Sequence, residues 1–118
     1  MRRPETLKYL FDIAEACRLL DEFVAGKALA DYQADALLRS AVERQFEVIG
    51  EALRLAIRDD PTLAGTVTNS RRIIAFRNRL IHGYATVLND VVWGVVEADL
   101  PTLRAEVTRL LEDQGQTP

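Results

Sequence analysis

The chain has 118 residues, of which 48% are apolar and 28% charged, the size and make-up of a single globular domain, 1–118, that can bury a core without staples. One cysteine, Cys17, and one histidine, His82, exclude an intrachain disulfide, a cysteine-based zinc cluster and a multi-histidine metal site. The net charge of −3 is unevenly spread: residues 61–89 hold four arginines and no acidic residue, leaving 11 basic against 18 acidic residues elsewhere. That asymmetry is the mark of an anion site.

From Thr6 to about Ala25, apolar residues recur at three- and four-residue spacing (Leu7, Leu10, Phe11, Ala14, Cys17, Leu20, Val24). This predicts an amphipathic helix capped by Thr6 and stopped at Gly26, with Cys17 as inert core. A second stripe, from Leu37 to Ile57, predicts one long helix over 31–59, ended by Pro61. Residues 61–69 read as a loop with room for one helical turn, and Asn69 or Ser70 as the cap of a third helix over 71–82. Gly83 is its expected breaker. Asn89 or Asp90 then caps a fourth segment, whose pattern Pro101 interrupts with a kink or break before Leu103, Val107, Leu110 and Leu111 continue it. Residues 114–118 read as a frayed tail. The fold class is all-α, an up-and-down bundle of four main helices. A long second helix with apolar surface to spare makes a dimer the expected assembly.

No apolar run approaches the roughly 18 residues that span a bilayer, and no signal-peptide h-region follows Met1-Arg2-Arg3-Pro4, so the expected location is the cytoplasm without membrane attachment. A nucleophile elbow of the G-x-S-x-G type is absent.

The third helix carries the chemistry. On a wheel of about 100° per residue, Ile73, Ile74, Phe76, Leu80 and Ile81 fall within an arc of about 160°, and Arg77 lies inside it. A guanidinium among apolar residues is costly unless it meets an anion, a carboxylate or another protein surface. A carboxylate of the second helix, Glu47 or Glu51, would give Arg77 a purely structural role. Asn78 and His82 share the opposite side, and Arg79 is nearby. Imidazole is the side chain suited to proton transfer near neutral pH, which makes His82 the candidate acid or base. Arg77 presents a planar fork suited to phosphate oxygens.

The run Phe76-Arg77-Asn78-Arg79-Leu80-Ile81-His82-Gly83-Tyr84 resembles the R-x4-H-x-Y signature of the HepT family within the HEPN superfamily. Residues Glu43–Ala52 resemble that family's second-helix pattern, and Asp90-Val91-Val92-Trp93 with Leu100-Pro101 resembles its last segment. The likeness extends from Leu7 to Leu111. It implies the toxin of a type II toxin–antitoxin pair, a metal-independent endoribonuclease working as a homodimer without a cofactor. Arg77 and His82 would be the catalytic pair. Tyr84 would accept AMP from an MntA-like nucleotidyltransferase antitoxin. Asn78, Arg79, Arg71 and Arg72 would support RNA phosphate. The alternative of a different class is a non-catalytic HEPN-type module that binds nucleotides or scaffolds a nucleotidyltransferase.

Overall fold

The computed structural model describes residues 2–115; the side chain of Tyr84 and the last residues of the polar tail, 116–118, lie outside that description. Helix α1 (Pro4–Val24) begins two residues before Thr6. Proline is well placed there, because a first-turn residue has no helical partner for an N–H in any case. Thr6 is consequently a buried residue inside α1 and not its cap. The helix ends where expected, with Gly26 in the left-handed region at φ +70°.

The expected second helix is two. Helix α2 (Leu29–Ala34) and helix α3 (Ala36–Asp59) are separated by Asp35, whose backbone is extended. The Asp35 side chain accepts a hydrogen bond from the Leu38 N–H at 3.1 Å, so the same residue that ends α2 caps α3. A continuous apolar stripe hides such a break, since it continues across it. After a short helix α4 (Leu63–Thr66), helix α5 runs Ser70–His82. Asn69 occupies its cap position but makes no capping bond; its amide donates instead to Asp99 Oδ1. A single 3-10 turn, Tyr84–Thr86, follows Gly83.

The last segment starts as α6 (Asn89–Gly94), widens into a π segment (Val95–Asp99) and resumes as α7 (Leu100–Asp113). Neither Asn89 nor Asp90 caps it; Leu88 holds the cap position. The irregularity expected near Pro101 is this π segment, immediately before the proline. Proline has no N–H for the carbonyl four residues back and its ring crowds that carbonyl. A wider turn relieves both without ending the helix.

Four helical units therefore make the bundle expected of a HEPN-like fold: α1, α3, α5 and α6–π–α7. Helix α1 packs on α3 and α7, and α5 packs on α3. Leu10, Ile13, Leu20, Val42, Ile49, Leu53, Val107 and Leu111 are fully enclosed between them, each worth roughly 1.5–3 kcal/mol by its removal from water. The α3–α5 contact is anchored by Phe46 and Phe76, whose rings meet edge-on with centroids 5.3 Å apart. Cys17 is buried in this core, and burial pushes its thiol up to about 12. The nucleophilic thiolate is therefore absent near neutral pH. Among the described residues no helix is long and apolar enough to cross a membrane.

Tyr32 of α2 packs at a tilt on Trp93 of α6, centroids 5.5 Å apart, and its buried hydroxyl has no hydrogen-bond partner among the described residues. An unsatisfied buried hydroxyl costs about 1–3 kcal/mol. Tyr32→Phe is expected to stabilise the fold by about 1 kcal/mol, read as a higher urea midpoint at unchanged slope.

Candidate functional site

Helix α5 has its arginines on different sides. Residues 72 and 79 are seven apart and 71 and 78 likewise, so each pair returns to nearly the same direction, while 77 points elsewhere. Arg72 and Arg79 rim a cleft of about 340 Å³ between α5 and the α6–π segment, floored by Ala75, Phe76, Val91 and Val95. Arg71 is exposed beside Ile74 and Ile57. Arg77 lies in a third place, a cleft of about 260 Å³ between α3 and α5 that Tyr9 of α1 also borders.

Arg77 is the least exposed of the four, its side chain 19% accessible. The close approach of two helices puts it there. A Cβ added to Gly50 of α3 would sit 2.2 Å from the Cβ of Arg77 and 2.6 Å from its Cγ. The arginine stem therefore crosses α3 at the one point where that helix has no side chain. At the far end of the stem, Nη2 donates to Glu51 Oε2 at 3.1 Å and Nη1 donates to Asn78 Oδ1 at 3.0 Å. The Nε–H is buried with no partner. A guanidinium has five N–H donors, so most of this one is unclaimed by the described residues.

Glu51 is itself held. Its Oε1 accepts from Arg54 Nε at 2.7 Å and is ion-paired with Nη2 at 2.7 Å, leaving Oε2 for Arg77. An ion pair this exposed contributes at most about 1 kcal/mol to stability. Its value lies in orientation.

His82 ends α5 and is exposed. Five residues from Arg77, it points about 140° away around an ideal helix and stands about 7.5 Å further along. The two members of the motif are therefore not aimed at one point by α5 alone. Ile81, next to it in the chain, is 37% accessible, and Leu88 and Val91, after the 3-10 turn, are 63% and 38% accessible. Tyr84 begins the turn two residues later.

The other predicted phosphate contacts are partly engaged. Arg72 is ion-paired through Nη2 with Oδ1 of Asp99, whose side chain is 5% accessible. Arg79 reaches the Thr86 carbonyl at 3.5 Å, tying the helix end to the 3-10 turn. The Arg72–Asp99 pair left no trace in the sequence pattern, because it depends on the π segment that turns Asp99 inward. A carboxylate of the second helix such as Glu47 or Glu51 was the expected structural partner of Arg77, and it is Glu51; Gly50, inside a long helix, was the signal of the close approach. Among the described residues no three His, Cys, Asp or Glu side chains form a group able to hold a metal ion.

The chain belongs to the HepT-like ribonuclease family, which matches residues 13–110. A protein of Thermococcus cleftensis named a probable ribonuclease HepT is 35% identical over 102 residues, 86% of this chain and 92% of that one. A protein of Caldanaerobacter subterraneus subsp. tengcongensis named a candidate RNase is 29% identical over 106 residues, 90% and 94% of the two chains. Another so named, from Methanocaldococcus jannaschii, is 29% identical over 107 residues, 91% and 97%. No solved structure matches the chain.

Removing Arg72 leaves the buried Asp99 carboxylate without its cation, whereas exposed Arg71 has no such partner among the described residues. Arg72→Ala is expected to cost about 2 kcal/mol of stability, and Arg71→Ala less than about 0.5 kcal/mol. Urea titration of the two variants checks the difference.

Proposed function

We propose that this protein is a metal-independent endoribonuclease of the HEPN type, the toxin of a type II toxin–antitoxin pair. The observation that carries the reading is Arg77, a half-buried guanidinium with most of its donors unclaimed, five residues before the chain's only histidine. The ribonuclease names of the relatives support the same class.

In this reading the RNA 2′-hydroxyl attacks the adjacent phosphorus. One imidazole takes the hydroxyl proton, the P–O5′ bond breaks, and a second group returns a proton to the leaving 5′-oxygen. The products are a 2′,3′-cyclic phosphate and a 5′-hydroxyl. Arg77 holds the non-bridging oxygens, on which negative charge increases in the transition state. Two proton transfers call for two titrating groups and each chain has one histidine. A homodimer supplies the second His82, and the exposed apolar Ile81, Leu88 and Val91 are available for such a contact. Asn78 orients Arg77 through its Oδ1. Arg71, Arg79 and Arg72 add RNA-phosphate contacts, Arg72 from its pair with Asp99. So few contacts give weak, salt-sensitive RNA affinity. No cofactor takes part, and the site of action is the cytoplasm.

Tyr84 is the control point. An MntA-like nucleotidyltransferase antitoxin would transfer AMP from ATP to its hydroxyl, releasing pyrophosphate. The added phosphate is an anion two residues from His82, where it repels RNA and fills space. The modified protein is expected neither to bind nor to cleave RNA.

Cleavage of total RNA in excess chelator tests the reading. Unmodified protein should leave 2′,3′-cyclic ends, and His82→Ala should lower kcat by about 10²–10⁴. No cleavage by unmodified protein, with mass establishing a free Tyr84, would instead favour the non-catalytic nucleotide-binding or scaffold module.

A further inference from the structure

The cleft that holds Arg77 contains a second device. We infer that Glu51, beside Gly50 on α3, is the positioning residue for Arg77, fixing the guanidinium in the orientation that meets phosphate; the inference rests on the ribonuclease reading above. An arginine side chain has four rotatable bonds, and a stem free to sample them would seldom present its fork correctly. Here both ends of the stem are restrained from the same turn of α3. Gly50 provides the floor, because Cβ and Cγ of Arg77 lie where a Gly50 side chain would be. Glu51 holds the head at Nη2, 3.1 Å away. Arg54 holds the other Glu51 oxygen by an Nε hydrogen bond and an Nη2 ion-pair contact, each at 2.7 Å, so the carboxylate is itself oriented.

The arrangement has an electrostatic consequence that separates positioning from simple support. Glu51 neutralises part of the Arg77 charge and thereby weakens ground-state attraction for phosphate. It also leaves the remaining Nη protons in a fixed direction, a gain realised when phosphate charge increases. A carboxylate used in this way lowers affinity and raises turnover. A carboxylate that merely competes with RNA would lower affinity alone.

The test compares Glu51→Ala and Glu51→Gln with the parent protein, using single-turnover RNA cleavage and ¹⁵N relaxation of the Arg77 Nε–Hε group. Glu51→Ala is expected to lower kcat by about 10–100-fold, the scale of a misplaced catalytic group, with KM not raised. Glu51→Gln, which keeps an oxygen acceptor for Nη2, should recover most of the loss. The Arg77 Nε–Hε group should become mobile in Glu51→Ala and regain order in Glu51→Gln. Unchanged kcat with lower KM in Glu51→Ala would overturn the inference in favour of competition. So would an Arg77 group equally ordered in parent and Glu51→Ala. The relaxation measurement needs no activity: if the parent protein does not cleave RNA, the ribonuclease reading fails while the positioning claim is still decided.

Discussion

An arginine stem lying across a glycine sets how closely α3 and α5 approach, and the rest of the site follows from that distance. Gly50 has no atoms to occupy the space in which the Cβ and Cγ of Arg77 sit. The edge-on contact of Phe46 with Phe76 lies in the same helix pair and supplies apolar burial there. A larger residue at 50 would have to displace the stem or separate the helices. The polar head of Arg77 thus rests at the rim of the core while its stem is part of it, which is how a charged residue can lie within an apolar stripe.

The other end of the bundle solves a different problem. Pro101 cannot continue a regular α-helix behind it, and the chain answers with five π residues, Val95–Asp99. That local widening brings Asp99 to Arg72 and Asn69, so Asn69 serves as a side-chain donor across the bundle and not as a cap. The two restraints act on opposite sides of α5. Glu51 holds Arg77 from α3, and Asp99 holds Arg72 from the π segment. Between them the outward face, with Asn78 and His82, is left open to solvent and to partners.

Much of this was legible in the sequence, for identifiable reasons. The helices could be read because their apolar periodicity is strong, and Gly26 and Gly83 marked the ends of α1 and α5. Arg77 stood out because it violated its own stripe, and a second-helix carboxylate such as Glu47 or Glu51 was an expected partner. The break at Asp35 was not legible, since both flanking helices contribute to one apolar stripe. Nor was the Arg72–Asp99 pair, because Asp99 lies within the π segment, whose residues depart from the 3.6-residue register used to read faces. The division of the arginines among separate clefts follows from wheel angles, yet a count of charge alone reads as a single patch. Family membership then adds what neither composition nor helix packing states, a ribonuclease lineage spanning residues 13–110.

The central claim is that Arg77 and His82 serve attack by an RNA 2′-hydroxyl. Its most direct measurement is cleavage of one RNA oligonucleotide beside the same oligonucleotide carrying a single 2′-deoxy sugar on the 5′ side of the mapped scissile phosphate. The all-RNA strand should be cut there in excess chelator and the substituted strand should not. Equal cleavage of both strands would contradict the claim, since the nucleophile would then be water and the roles given to Arg77 and His82 would fall.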